Sequence, residues 1–350
     1  MNGSQSNLSL KCMRDTSVTS VVFPGLYSSL FLVALVLNCL AAWIFFNIRS
    51  TSTFVVYLKN VVVADLLMTL TIPVKVLVDV DVGSWPLQAF YCRYSAVLFY
   101  TTMYISIILL GLISLDRYIK IVRPFWKCPL QRVWVGQALS ATIWAVMVSL
   151  ALPNTILSDL TPAPSKGRLK CSSMKGPAGL KWHEGFNYFC QERTLSYDYV
   201  VFWGTLGLMV VCYTFISRKV YESYKASRSG SNVASRKTRA NVFVVVGVFF
   251  VCFAPFHFAR VPYTLTQTRN VVNQCWANNA FYVAKETTLW LSATNVCLDP
   301  LIYVFLCKVF RKKLTATLNR KPHIEVGLES PTETSTRLEM SQMQNRMSNT

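Results

Sequence analysis

Seven long apolar runs constrain this chain more than any other feature. They cover about residues 21–46, 54–79, 88–122, 133–153, 197–220, 240–263 and 278–306. Each reaches the roughly 20 residues that a helix needs to cross a bilayer core about 30 Å thick. Lipid offers no partners for backbone N–H and C=O groups, so only helices and closed barrels span it, and runs this long read as helices. The expected fold is an all-α membrane protein, a seven-transmembrane helix bundle. Composition agrees, with 53% of residues hydrophobic and only 15% charged, too little charge for a soluble domain of this size.

Loop charges orient the bundle. Arg49 follows the first run. Arg117, Lys120, Arg123, Lys127 and Arg132 lie around the third-to-fourth connection. Arg218, Lys219, Lys225, Arg228, Arg236, Lys237 and Arg239 join the fifth and sixth, and Lys308, Arg311, Lys312 and Lys313 follow the seventh. Positive residues stay inside, so these faces are cytoplasmic and the amino end is extracellular. The net charge of +19 is thus a topology signal, and no soluble basic domain exists to carry nucleic-acid binding. The polar amino terminus lacks a charged region followed by a short apolar one, so no cleavable signal peptide is expected. Residues 1–20 form an outer tail with two glycosylation sequons, at Asn2 and Asn7. Residues 307–319 are basic and amphipathic, suiting a short helix on the inner membrane surface. Residues 320–350, rich in Ser and Thr, read as a disordered cytoplasmic tail open to phosphorylation.

One outer loop opposes the topology rule. Between the fourth and fifth runs stand Lys166, Arg168, Lys170, Lys175 and Lys181. Such a loop attracts a polyanion to the mouth of the bundle; the alternative is a merely solvated loop. Cys92, Cys171, Cys12 and Cys275 all fall on the oxidising side. Cys92–Cys171 and Cys12–Cys275 are the expected bridges, although four cysteines allow three connectivities. Cys39, Cys212, Cys252 and Cys297 lie in apolar runs and read as reduced packing residues.

The segment from Val248 to Thr268, VFFVCFAPFHFARVPYTLTQT, carries the most chemistry. Pro255 removes a backbone hydrogen bond and bends the helix. Phe253, His257 and Arg260 follow at helical spacing on one face. A membrane arginine needs a partner or a water-filled cavity, so Arg260 reads as the cation for an anionic ligand above a hinge. The alternative is a side chain that snorkels to water at the helix end.

The arrangement resembles the rhodopsin-like class of G-protein-coupled receptors. Asp116-Arg117-Tyr118 closes the third span, Asn38 and Asp65 stand in the first two, Trp144 in the fourth, and Asp299-Pro300-Leu301-Ile302-Tyr303 closes the seventh. Most of the class has Asn before that Pro, and Trp where Phe253 stands. FHFARVPYTLTQT, AKETTLW, LKNVVVADLLMTL and GLKWHE narrow the similarity to the purinergic nucleotide receptors, in the ADP and UDP-sugar branch coupled to inhibitory G proteins. It covers nearly all of the chain from Cys12 to Phe310.

This resemblance implies a ligand set. Arg260 and Lys285 are two cations near the outer end, enough for a diphosphate, and arginine adds fork-shaped donors. Lys175 supplies a third charge. Tyr100 and Tyr104 offer aromatic faces one turn apart. Asn154, His183, Asn187, Phe256, His257, Tyr263 and Gln267 match family positions lining the same cavity. The alternatives are helix packing for the tyrosines and pairing with Glu286 for Lys285.

The class also implies a switch made of Asp116, Arg117, Tyr118, Phe253, Pro255, Asp299, Pro300, Tyr303 and Tyr213. Some receptors add a span-six acid as a second clamp, but Ser235 stands there. Asp65, Ser106, Asn295 and Asp299 are candidates for a sodium site, since oxygen ligands suit hard cations; the alternative is a water-filled polar network. The implied partners are ADP, an inhibitory G protein, arrestin, receptor kinases and membrane lipid.

Two features depart from the family. Gln88 replaces a basic residue of some relatives. Glu192 to Tyr199 insert eight residues where relatives pass directly into VFW, either a genuine variant or retained intron sequence. Eight helical residues are about 12 Å, which unsettles the placement of His183 and Asn187. The chain as written is expected to function less well than one lacking 192–199. Competing readings keep the receptor but change the ligand to a UDP-sugar or a lysophospholipid, or make the chain a transporter or channel. The sequence has no internal repeat and no paired broken helices to favour the last. No nucleophile–base or metal-ligand cluster suggests an enzyme.

Overall fold

The computed structural model describes residues 17–82, 85–126, 128–156, 171–174, 197–226, 244–269 and 275–319. Among them seven helices are long and apolar enough to cross a membrane. They are α1 (Ser17–Phe46), α2 (Thr53–Asp79), α3 (Trp85–Val122), α4 (Val133–Ile156), α5 (Tyr197–Ala226), α6 (Val244–Tyr263, its outer part a helix over Ala254–Arg269) and α7 (Cys275–Ala293, then Asn295–Leu306). A short α8 (Lys308–Leu318) follows. The spans match the expected runs within a few residues. The compact unit holding the bundle ends at Lys312.

α3 is the axis. Its span is 61% buried, against 17% for α4, which lies at the edge. α2 packs between α1, α3 and α4, α5 packs on α3, and α6 on α7. Large apolar side chains that stay exposed, such as Leu32, Trp43, Phe46 and Val211, face lipid, where exposure costs nothing. Burial of apolar surface therefore gives no hydrophobic gain between helices, and close van der Waals packing and interhelical hydrogen bonds take over. Asn38 donates to the Val296 carbonyl at 2.7 Å, tying α1 to α7. Trp144 Nε1 donates to Asn60 Oδ1 at 3.0 Å, tying α4 to α2.

Two helices are interrupted, and the interruptions touch. α6 breaks at Phe253, just before Pro255, where the proline ring evicts the preceding turn. α7 breaks at Thr294, whose hydroxyl bonds the Leu291 carbonyl at 2.6 Å. Cys252 Sγ lies 3.7 Å from Thr294 Oγ1. The sequence suggested the first bend and not the second, because no proline or glycine marks residue 294. Both breaks are single-residue turns inside spans that continue across.

Near its outer end, after the α-helical Trp85–Phe90, α3 holds a π-helical turn, Tyr91–Ser95. Cys92 in this turn is disulfide-bonded to Cys171, with Cα atoms 5.2 Å apart, and Cys171 begins a short 3-10 helix ending at Met174. One of the two expected bridges is therefore present. For Cys12–Cys275, Cys12 and the side chain of Cys275 lie outside the described residues, as do Asn2, Asn7 and Ser235. Cys39, Cys212, Cys252 and Cys297 are free thiols.

Close approach explains Gly136 and not Gly204. An added Cβ at Gly136 of α4 would stand 3.0 Å from Thr53 Cγ2 and 3.3 Å from its Cα, so backbone as well as side chain blocks it. At Gly204 of α5 nothing lies within 4 Å. Gly136→Ala is expected to lower stability by about 1–3 kcal/mol through overpacking. Gly204→Ala is expected to raise it by up to about 1 kcal/mol through helix propensity. Thermal unfolding of the purified variants checks both signs.

Candidate functional site

The outer half of the bundle holds the cations together with an aromatic lining. α6 carries Arg260 two turns above the Phe253 break, so its guanidinium reaches across to α3. There Arg260 Nη1 donates to Tyr104 Oη at 2.8 Å. The guanidinium also lies 6.0 Å from the Tyr100 ring and 5.7 Å from the Phe256 ring, at the outer limit of cation–π attraction. The Tyr100 and Phe256 rings stack at 6.4 Å. The sequence placed these four residues in one cavity, and they do come together. Arg260 is held by a hydroxyl and two ring faces.

His257 behaves differently from Arg260. It is buried, and its ring stacks on Phe202 of α5 at 3.9 Å with an interplanar angle of 4°. Nδ1 donates to the Phe253 carbonyl at 2.8 Å. A carbonyl can only accept, so Nδ1 carries the hydrogen and Nε2 is left as an acceptor. Nε2 is buried without a partner. His257 thus splints the backbone across the α6 break, where the proline has removed a ladder bond.

Lys285 is paired. Its Nζ lies 2.7 Å from Glu286 Oε1 and 5.8 Å from the Tyr263 ring. Glu286 Oε2 lies 3.7 Å from Lys75 Nζ, which sits 3.0 Å from Asp79 and 5.0 Å over the Tyr27 ring. Two cations and two anions thus alternate across α2 and α7, each offsetting the cost of its neighbour's burial. Beside them lies a cavity of about 140 Å³, lined in part by Lys75, Asp79, Gln88, Tyr91 and Glu286 and by the Cys92–Cys171 bridge. Sequence reasoning missed Lys75 and Asp79. Their signal was available: two opposite charges spaced i, i+4 within an apolar run.

Asn154 stands in the last turn of α4, half-buried. Gln267 belongs to the helix Ala254–Arg269, beyond the side chains described. Lys175, His183 and Asn187 lie outside the described residues, and the described part of α5 opens at Tyr197.

The inner half carries the expected charge pair and more. Asp116 accepts from Thr53 Oγ1 of α2 at 2.8 Å, from Arg117 at 2.9 Å and from Lys120 at 2.8 Å. The Arg117 guanidinium lies 3.8 Å from the Phe54 ring. Tyr118 packs on Phe215 of α5 at 5.9 Å. Tyr213 and Ser114 hydroxyls meet at 3.4 Å. Lys120 and Thr53 were not read from the sequence as partners of Asp116.

The middle is polar and tightly closed. Asp65, Ser106, Asn295 and Asp299 are all buried. Tyr303 donates to Asp65 Oδ2 at 3.1 Å. Asp65 Oδ1, Ser106 Oγ, Asn295 Oδ1 and both Asp299 oxygens lack a well-formed hydrogen bond. Buried oxygens in that state are costly unless something positive sits among them. Pro300 adjoins this cluster in α7.

Comparison with known proteins agrees with this geometry. Residues 37–303 match the 7 transmembrane receptor (rhodopsin family) model. Purinoceptor 13 of Homo sapiens is 50% identical over 315 residues, covering 90% of this chain and 86% of the relative. The Rattus norvegicus purinoceptor 13 is 46% identical over 308 residues, 88% of each. Purinoceptor 14 of Bos taurus is 40% identical over 325 residues, 93% of this chain and 92% of the relative. The chain therefore belongs to the rhodopsin family of seven-transmembrane receptors and, within it, to the purinoceptors, multi-pass G-protein-coupled receptors of the plasma membrane that are not enzymes.

Proposed function

We propose that this receptor takes an extracellular nucleotide, ADP first, and signals through an inhibitory G protein to lower cyclic AMP. The observation that carries the reading is the pair Arg260 and Lys285 at the outer end of α6 and α7, with Tyr100, Tyr104 and Phe256 around the arginine. A diphosphate suits two cations and a base suits the ring faces. Glu286 occupies Lys285 in this structure, so a phosphate must displace one carboxylate as it binds. Asn154, His257, Tyr263, Gln267, Lys175, His183 and Asn187 belong to the same proposed ligand set. Asp116, Arg117, Tyr118, Tyr213, Phe253, Pro255, Asp299, Pro300 and Tyr303 are the proposed switch. Arrestin and receptor kinases are proposed partners of the cytoplasmic face.

A UDP-sugar is the second reading. The cavity beside Lys285 favours it, because Asp79, Glu286 and Gln88 suit sugar hydroxyls. Cyclic AMP in cells with stimulated adenylyl cyclase separates the two. Arg260→Ala and Lys285→Ala are each expected to weaken ADP by about 2–5 kcal/mol, the cost of truncating a buried charge partner, at unchanged surface expression. Glu286→Gln removes a competitor for Lys285 and is expected to sharpen the ADP response. If it instead sharpens nothing and weakens UDP-glucose, the sugar reading holds.

Sodium is the proposed ion of the central cluster. The unpartnered oxygens of Asp65, Ser106, Asn295 and Asp299 are hard donors of the kind such cations take. Replacing sodium by an organic cation at constant ionic strength is expected to lower the thermal stability of the ligand-free receptor. Asp65→Asn is expected to abolish that difference; an unchanged difference in the variant would assign sodium elsewhere.

The insertion at 192–199 is testable in the same assay. The form lacking it is expected to respond at lower ADP concentration. Equal potency at equal surface expression would make the eight residues a neutral variant.

A further inference from the structure

A second cavity, of about 370 Å³, lies at the inner end of α3, far from the nucleotide site. Its wall combines three kinds of side chain. Leu115, Ile119 and Leu130 are aliphatic, Tyr118 and Trp126 are aromatic, and Arg123 is cationic. The volume is in the range of small-molecule sites. The wall past α3 is built rather than loose. The Arg123 N–H donates to the Ile119 carbonyl at 3.1 Å, Trp126 to Arg123 at 3.0 Å, Cys128 to Trp126 at 2.8 Å and Gln131 to Cys128 at 3.0 Å.

Depth decides what such a cavity meets. The α3 span ends at Val122, so Leu115 and Ile119 lie in its last two turns and Arg123 just past it. Leu115 to Arg123 is eight residues, about 12 Å along the axis. Half of a bilayer core is about 15 Å. The aliphatic stretch from Leu115 to Ile119 is about 6 Å of that length, inside the inner leaflet, and the cation stands one turn further on, just past the span end. Neighbouring Phe215 is 44% exposed and Trp134 62% exposed, large apolar surfaces that suit lipid rather than water.

The charge is available. Arg123 is exposed and joins no acid among the described residues. The one acid of the inner α3 turns, Asp116, is taken by Arg117, Lys120 and Thr53. Basic clefts between membrane helices on the cytoplasmic side suit anionic lipid headgroups, and Trp and Tyr suit the interfacial level.

We propose that this cavity binds one anionic phospholipid of the inner leaflet, its phosphate on Arg123 and one acyl chain along Leu115, Ile119 and Leu130. The site is independent of the ligand that opens the receptor, so its test needs no nucleotide. Full-length receptor in detergent is titrated with dioctanoyl-phosphatidylserine and dioctanoyl-phosphatidylcholine, and bound lipid is read by native mass spectrometry. The serine lipid is expected to bind more tightly. Arg123→Gln is expected to weaken it about fivefold, the worth of one basic side chain at an anionic membrane surface. Arg132→Gln, an exposed cation off the cavity wall, is expected to change it little. Leu130→Trp fills the groove and is expected to reduce binding of both lipids. Arg123→Gln alters only a charge, so it remains readable if the tryptophan variant fails to fold. Equal losses in Arg123→Gln and Arg132→Gln would reduce the effect to diffuse surface attraction and overturn the site. So would equal affinity for the choline lipid, or displacement of the serine lipid by chainless glycerophosphoserine, which would leave only a phosphate site.

Discussion

Lipid accepts no hydrogen bonds, and the rest of this molecule depends on that condition. Every polar group in the bundle must find its partner within the chain. Many do so locally. The hydroxyls of Thr69, Thr101, Ser114 and Ser140 each bond a carbonyl one turn earlier and become inert. Others bond between helices, as Asn38, Trp144 and Thr53 do, and there they fix which faces meet. The remainder, Asp65 Oδ1, Asn295 Oδ1 and the two Asp299 oxygens, lack a well-formed bond by either route among the described residues. A bilayer protein retains such groups where something charged must come and go.

The same condition explains how much of the fold was legible. Helices that satisfy their own backbone leave their length and hydropathy in the sequence, so the seven spans and α8 were readable within a few residues. The two outer cations proposed for the ligand were conspicuous too, because Arg260 stands in an apolar run and Lys285 near a span end. What was not readable depends on how helices are rotated against one another. Glu286 reaches Lys75 only because α2 and α7 present those positions to each other. Lys120 joins Asp116 by lying one turn on, and Thr53 joins it from the first residue of another helix. His257 looked like a ligand residue by its spacing from Arg260. Its ring meets Tyr104 and Phe256 of the proposed ligand set and is also stacked flat on Phe202, a contact that no periodicity within α6 foretells.

The charge pairs show why a membrane receptor can bind a polyanion reversibly. A lone lysine at the outer end of α7 would be expensive before ligand arrives. Glu286 removes that expense, and Lys75 and Asp79 neutralise Glu286 in turn. The ligand gains only the difference between its own phosphate and the carboxylate it replaces. Arg260 is held in part by the Tyr104 hydroxyl and two ring faces.

Lys285 and Arg260 both stand on the outer side of one joint. Arg260 lies two turns above the α6 break at Phe253, Lys285 stands nine residues before the α7 break at Thr294, and the breaks meet at Cys252 and Thr294. In the proposed reading, a phosphate held by both cations would draw the outer ends of α6 and α7 together, and the load would fall at the two breaks. α3 provides the fixed reference. Tyr104 and Asp116 are twelve residues apart on it, about 18 Å along the axis. A uniform helix would spread such a load over its length, whereas a pre-broken one concentrates it at one place with two arrangements. The ligand then has only to prefer one arrangement, and a preference of about 5.5 kcal/mol would carry the population from nearly all closed to nearly all open. The central carboxylates Asp65 and Asp299 lie beside this joint. A cation among them would weigh on the same equilibrium from below while the nucleotide weighs on it from above, and linkage makes that opposition reciprocal.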